Sequence, residues 1–196
     1  MKLSDELELW LKSEGDRTVG GLVSVFAERS FAILFVLLLA VPALPLPTGG
    51  ATHVFELIAI LVAVQLVAGR DQIWLPKRWG RVQLVGDRRE RFLRGLLKLI
   101  RWLERISRPR LAFLFGGRTR NAVFGLLVIL GSAAAFLAPP FTGLDTLPAL
   151  GVVLLSLSVL LKDALITLLG LITVAAGIVL EIVLGAAAYR GISGFF

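Results

Sequence analysis

Four of the five apolar segments in this chain are too short to cross a membrane as straight helices. A hydrocarbon core about 30 Å thick requires about 20 apolar helical residues. The segments at 31–46, 54–68, 122–138 and 147–161 contain 16, 15, 17 and 15 residues. Pro42 and Pro45 lie inside the first of them. Hydrocarbon cannot satisfy the backbone groups that such breaks set free, so the breaks must be buried in protein or face water. Broken helical hairpins are the arrangement that this pattern favours.

The composition supports an all-α integral membrane protein. The chain is 57% hydrophobic with a mean hydropathy of +0.85, against about 45–50% apolar residues in soluble domains. The last segment, Ala164–Tyr189, is long enough to span. With no cysteine and the single histidine His53, disulfides, thiolate sites and multi-histidine metal centres are excluded. We expect no metal site and no cofactor.

The charges predict how the chain is oriented. Of 21 Lys and Arg residues, 15 lie between Arg70 and Arg120, with four acids. Basic residues close to membrane segments stay in the cytoplasm. The acidic, amphipathic N-terminus does not resemble a signal peptide. We therefore expect a multi-pass protein of the bacterial inner membrane, with its N-terminus and central segment cytoplasmic.

The two broken segments carry the same short pattern. Residues Pro45–Thr52 read PLPTGGAT and residues Pro139–Thr146 read PPFTGLDT, so both fit P-x-x-T-G-x-x-T with an offset of 94 positions. Matching apolar segments flank both copies, which indicates an internal repeat. Thr48 or Thr52, and Thr142 or Thr146, suit the N-cap of each return helix. Two tight turns between short spanning helices remain the alternative.

A basic stripe follows the first hairpin. Its members are spaced 3, 4, 3, 4 and 3 residues apart, as one face of an α-helix requires, and they are Arg91, Arg94, Lys98, Arg101, Arg105 and Arg108. Leucine and isoleucine cover the opposite face, so we expect an interfacial helix that binds anionic lipid headgroups. A topology signal without lipid selectivity is the alternative, and nucleic-acid binding is not expected. A short first helix, Ser4–Lys12, would dock on this helix or on the headgroups.

These features divide the chain into four parts. Residues 1–69 hold the N-terminal helix and first hairpin, and 70–121 the basic segment. Residues 122–163 form the second hairpin, and 164–196 the long C-terminal helix and tail. The predicted fold is two Pro/Gly-broken hairpins in an inverted repeat, one interfacial helix and one long transmembrane helix.

Ionisable groups at membrane depth are functional candidates by default. If the two tips meet, a histidine, acids and threonines converge beside two helix N-termini. Such N-termini suit anions, including phosphate, and His53 with a carboxylate would relay protons. Solvated tips are the alternative, and Glu181 would otherwise pair with Arg29 or lie at the membrane edge. The predicted substrate- or ion-binding residues are Thr48, Gly49, Thr52, His53, Glu56, Thr142, Gly143, Asp145, Thr146 and Glu181.

The stretch QLVAGRDQIWLP, Gln65–Pro76, resembles the Q-x-x-x-G-R-x-x-x-W-L-P signature of the ExoD family of bacterial membrane proteins. The proline-rich tip, RPRL at Arg108–Leu111 and PPFTGLDTLPAL at Pro139–Leu150 fit the same family. The resemblance implies an inner-membrane protein connected with exopolysaccharide synthesis, without implying catalytic residues. This chain has Lys162-Asp163-Ala164 where the family pattern leads us to expect Arg-Asp-Gly.

The leading functional hypothesis is a small transporter, or a lipid or ion translocator, with its site between the hairpins. The substrate would be an anionic envelope precursor, and a homodimer and the polysaccharide synthesis machinery are the expected partners. The alternative is a non-catalytic scaffold or regulator of that machinery. An enzyme is not expected, because the chain has no G-x-S-x-G motif, no cysteine and one histidine.

Overall fold

The computed structural model describes residues 30–44, 51–70, 73–74, 117–139 and 142–193. It also describes Asp5, Glu8, Leu9, Thr18 and eight positions between 94 and 105. The continuous ranges form helices and no β-strand, which confirms the predicted all-α class. The helices are α1 (Ser30–Leu39), α2 (His53–Val67), α3 (Arg118–Leu137), α4 (Thr146–Leu161) and α5 (Ala164–Ser193).

Helix α3 is longer than the apolar segment that predicts it. It begins at Arg118, four residues before the apolar run, and contains 20 residues. The expectation that only the last segment is long enough to span is therefore wrong. Polar residues continue a helix beyond its apolar part, so the length of an apolar run sets only a lower limit on the length of the helix. Both α3 and residues Ala164–Ala187 of α5 are long and apolar enough to cross a membrane.

The short helices α1 and α4 lie at the centre of the molecule. Eight of the ten residues of α1 are buried, and Phe35 and Leu39 are fully enclosed. Helices α2, α3 and α5 surround them and direct large apolar side chains outward, for example Leu61, Leu130 and Ile172. Apolar exposure of this extent is typical of a surface that faces lipid or another protein. Together with the lengths of α3 and α5, it indicates a membrane protein.

The helices pack between the two predicted hairpins at least as extensively as within them. Helix α2 lies against α3 over a larger contact than against α1, and α1 lies against α4. Helices α3 and α4 also contact each other, and α4 packs along α5 in the most extensive contact of the described chain. The second helix of each predicted hairpin, α2 or α4, therefore packs on the first helix of the other, α3 or α1.

Helices α4 and α5 approach each other closely at two glycines. A Cβ on Gly151 would lie 3.0 Å from the carbonyl oxygen of Gly170 and 2.6 Å from the backbone nitrogen of Val174. A Cβ on Gly170 would lie 3.1 Å from the carbonyl oxygen of Gly151 and 2.9 Å from the backbone nitrogen of Leu155. The two backbones are in contact here, which only glycine permits.

Helices α2 and α4 end in the same way. The N–H of Arg70 bonds to the carbonyl of Gln65 at 3.1 Å, and the N–H of Asp163 to that of Ser158 at 3.2 Å. Both bonds close a Schellman motif around a left-handed residue. That residue is Gly69 (φ 78°) in the first case and Lys162 (φ 54°) in the second.

Asp163 connects the end of α4 to the start of α5. Its Oδ1 accepts a hydrogen bond from the N–H of Leu165 at 2.9 Å, so Asp163 caps the N-terminus of α5. Ala164 is then the first residue of that helix, a position that alanine suits well. The departure from the Arg-Asp-Gly pattern therefore keeps the residue that caps the helix.

Replacing Lys162 with glycine is expected to stabilise the protein by roughly 0.5 kcal/mol. Glycine adopts the left-handed conformation without the cost of about 1 kcal/mol that a Cβ brings, although its freer unfolded chain offsets part of the gain. Thermal unfolding in detergent would measure this as a higher Tm. Lys162→Ala is the control, because it removes the ammonium group and keeps the Cβ. A higher Tm in both variants would trace the effect to the charge instead.

Part of the basic segment is described, and its apolar and basic residues are on separate faces. Arg94, Lys98, Arg101 and Arg105 are exposed in helical conformation, whereas Leu97 and Ile100 are buried in the core. Arg91 and Arg108 lie outside the described residues. Arg101 forms an ion pair with Glu8.

Candidate functional site

The N-termini of α2 and α4 meet at a side-chain hydrogen bond. The N-cap of α2 is Thr52 and that of α4 is Asp145. Neither side chain caps its own helix. The Thr52 hydroxyl instead donates to Oδ2 of Asp145 at 3.3 Å, and Thr52 is only 2% exposed. The two N-cap side chains therefore link α2 to α4.

The predicted N-caps are partly corrected by this geometry. Thr52 holds the expected position, but Thr146 is the first residue of α4 and Asp145 precedes it. The two helix starts are 93 residues apart, one fewer than the sequence offset of 94. Aligning the identical residues of the two patterns puts Thr146 opposite Thr52. In the structure, Asp145 is the N-cap that corresponds to Thr52.

One turn into α2, His53 and Glu56 form a close pair. Nδ1 of His53 lies 2.7 Å from Oε2 of Glu56, and the carboxylate is fully buried. The other oxygen, Oε1, has no hydrogen-bond partner among the described residues. Their i, i+3 spacing brings both side chains to one face of the helix, as predicted. The His53 ring also packs on Phe136 of α3, with ring centroids 5.4 Å apart.

Glu181 approaches this pair from α5. Gly177, one turn earlier, packs against the Pro148 ring near the start of α4, which brings Glu181 level with the N-terminus of that helix. Asp145 and Glu56 both act on Glu181 electrostatically. Its Oε1 is buried and has no partner within the described ranges. The alternative partner, Arg29, lies outside those ranges.

Two of the remaining predicted residues shape the loop before α4, and two others lie outside the described residues. Thr142 Oγ1 donates to the carbonyl of Pro139 at 2.6 Å and accepts from the N–H of Leu144 at 3.3 Å. Gly143 adopts a positive φ of 68° next to it. Both residues are exposed and hold the turn before α4. Thr48 and Gly49 lie outside the described residues.

Sequence reasoning missed one side chain at the site, Phe136, and one buried hydroxyl on the same face of α3. Phe136 has no pattern that would distinguish it from other apolar residues of α3. Ser132, one turn earlier on α3, has a buried hydroxyl without a partner in the described part of the chain. A serine inside an apolar run was the available signal.

The assembled site is acidic. It contains the carboxyl groups of Glu56, Asp145 and Glu181 with the imidazole of His53. Glu56 has His53 and Asp145 as electrostatic neighbours, and it in turn acts on Glu181. No three His, Asp or Glu side chains in the described ranges are placed to hold a metal ion together. The arrangement suits a proton or a small cationic group better than an anion.

A separate basic cavity lies at the opposite end of α2. Its volume is about 300 Å³, and it is lined by Leu66, Gly69, Arg70, Gly117, Arg118 and Asn121. The two termini of α2 therefore differ in character, with acids at the N-terminus and arginines at the C-terminus. Gln65, one of the signature residues, holds the chain that follows, since its amide accepts from Trp74 N–H at 2.8 Å and donates to its carbonyl at 3.3 Å.

Comparisons with known proteins find one family and two curated relatives. A family model described as "Exopolysaccharide synthesis, ExoD" matches residues 3–183. Protein ExoD of Rhizobium meliloti is 31% identical over 183 residues, covering 91% of this chain and 76% of its own length. An uncharacterized protein of Synechocystis sp. is 31% identical over 198 residues, covering all of this chain and 89% of its own. No solved structure matches the chain.

Proposed function

We propose, since this chain belongs to the ExoD family of exopolysaccharide synthesis proteins, that it is a small inner-membrane transporter or translocator. Its site would be the acidic cluster where the N-termini of α2 and α4 meet. The hydrogen bond from Thr52 to Asp145 is the observation that carries this proposal. It joins corresponding positions of two hairpins beside a fully buried glutamate.

The packing supports an inverted repeat. In such a repeat α1 is equivalent to α3, and α2 to α4. The contact of α2 with α3 is then equivalent to that of α4 with α1, and both contacts are extensive. The two Schellman motifs and the two linked N-caps are also related by this equivalence. Half-helices whose N-termini meet between two repeats are typical of secondary transporters. Two such units would alternate in exposing the shared site to each side of the membrane.

Membrane topology, cargo and partners belong to the same proposed function. The protein would cross the membrane several times, with its N-terminus and basic segment cytoplasmic, and would act without enzymatic chemistry. Its cargo would be an envelope precursor used by the polysaccharide synthesis machinery. The apolar faces of α2, α3 and α5 would contact lipid or a second copy in a homodimer.

A scaffold or regulator of that machinery is the second candidate function. The observation that favours it is the basic segment, in which Arg94, Lys98 and Arg105 are exposed while Leu97 and Ile100 anchor the helix. Such a surface would bind anionic lipid or an acidic partner. This function leaves the acidic cluster without a purpose.

Cysteine labelling tests whether the site opens to both sides. The chain lacks cysteine, so Leu144→Cys creates a single thiol one residue before Asp145. We expect a membrane-impermeant thiol reagent to modify it both in intact cells and in inverted vesicles, and Glu56→Gln to change the ratio of the two rates. A thiol at Val123, exposed on the apolar face of α3, is the control and should react from neither side. Labelling of Leu144→Cys from one side alone, unchanged by Glu56→Gln, would favour the scaffold.

A further inference from the structure

We infer that the acidic cluster is a proton-binding site in which Glu56 holds the proton and His53 conducts it in and out. The inference rests on the proposed function and deepens it, because it identifies the coupling ion of the transporter. It also separates that ion from the cargo, which would bind elsewhere if it is anionic.

Two carboxyl oxygens of the cluster are buried without a hydrogen-bond partner among the described residues. Glu56 is fully buried, and its Oε1 has no hydrogen-bond partner in the described structure. Oε1 of Glu181 is also buried and without one. An ionised carboxylate can only accept hydrogen bonds, and burying it without a full set of partners is costly. A proton on Glu56 removes the charge, so that only a neutral carboxyl group has to be buried.

The charges around Glu56 favour a proton over an anion. Asp145 faces it from the N-terminus of α4, and Glu181 belongs to the same electrostatic cluster from α5. Helix α3 contributes the neutral Phe136, and the described α1 has no ionisable residue. Like charges at this range oppose simultaneous ionisation. The dipoles of two helix N-termini already face these acids, so the cluster favours a proton over an anionic cargo.

His53 provides the route. Its side chain is 23% exposed, whereas that of Glu56 is fully enclosed. Nε2 can take a proton from solvent, which gives an imidazolium. Nδ1 can then pass its own proton to Oε2 of Glu56 across 2.7 Å. The imidazolium becomes a neutral imidazole and the carboxylate becomes a carboxylic acid, so charge and protons balance. The Phe136 ring packed on the imidazole keeps it aligned with Glu56.

Infrared difference spectroscopy of the purified protein in detergent tests the inference without a cargo. In a pH titration we expect a carboxylic acid C=O band that shifts in D2O and disappears in Glu56→Gln. In His53→Gln the band should remain, but its exchange with D2O should slow by about 10-fold or more, as expected when a positioned acid–base group is lost. Asp5→Asn removes an exposed carboxyl and should leave the band unchanged.

The outcomes of these experiments separate a failure of the proton site from a failure of the proposed transport function. Glu56→Gln is close in shape to the native residue, and Glu56→Asp, which should retain a shifted band, covers the case in which Glu56→Gln does not fold. Absence of a Glu56 band at every pH would overturn the inference. If Leu144→Cys were still labelled from both sides, transport would stand with another coupling ion. A band that titrates differently in sodium than in choline salts would assign the site to a metal cation and also overturn it.

Discussion

Gly170→Ala is expected to destabilise the protein by about 3 kcal/mol or more. The added Cβ would lie 2.9 Å from the backbone nitrogen of Leu155 and 3.1 Å from the carbonyl oxygen of Gly151. Backbone atoms cannot move aside as a side chain can, so α4 and α5 must separate along their most extensive contact. Overpacking of a core typically costs about 1–3 kcal/mol, and this contact is at the upper end. Unfolding in detergent and the yield of folded protein in membranes would measure the loss.

Gly185 provides the matched control on the same helix. Among the described residues, no atom lies within 4 Å of a Cβ placed there, apart from the helix's own backbone and the two neighbouring residues. Gly185→Ala should therefore leave the packing intact and gain up to about 1 kcal/mol from the better helix propensity of alanine. Opposite signs for the same substitution at two positions of α5 would locate the effect in the contact with α4. Equal losses at both positions would contradict that assignment.

Cross-linking the two N-caps is expected to raise the free energy of unfolding by about 4 kcal/mol. In Thr52→Cys/Asp145→Cys the new thiols replace side chains whose oxygens are 3.3 Å apart. A bis-methanethiosulfonate with a one-carbon bridge should link most of the protein. The loop closed between positions 93 residues apart is long, and the entropy removed from the unfolded chain grows with loop length. A protease site introduced in the basic segment reports the link, since the two fragments stay joined until reduction.

The pair Val64→Cys/Asp145→Cys tests whether proximity causes the link. Val64 lies on the same helix as Thr52, twelve residues further on, which is about 18 Å along the axis. Little intramolecular product and no change in stability are expected. If both pairs cross-link equally, the N-termini do not meet as described, and the inverted repeat would lose its main support.

The sequence was sufficient for those parts of the fold that depend on local pattern. Apolar runs located all five helices, and the spacing of Arg94, Lys98, Arg101 and Arg105 predicted one exposed face. The i, i+3 spacing of His53 and Glu56 predicted that they share one face of α2, where the structure pairs them. Each of these rests on residues within a few turns of each other, where helical geometry fixes the distance.

The parts that escaped prediction depend on contacts between distant residues. Nothing local shows that α2 packs more on α3 than on its own hairpin partner, or that Phe136 covers His53. The N-cap of α4 was displaced by one residue because matching letters do not fix backbone register. The start of α3 at Arg118 was missed because hydropathy does not record helical polar residues.

The packing of α2 on α3 and of α1 on α4 has a consequence for biosynthesis. When residues 30–70 leave the ribosome, α1 and α2 have made only their smaller contact. The surfaces that will cover them, on α3 and α4, are synthesised about 50 to 90 residues later. During that interval Glu56 is without the enclosure it has in the finished protein, and α1 is without its partner α4. We therefore expect the first half of this chain to stay incompletely packed until α3 and α4 have been synthesised.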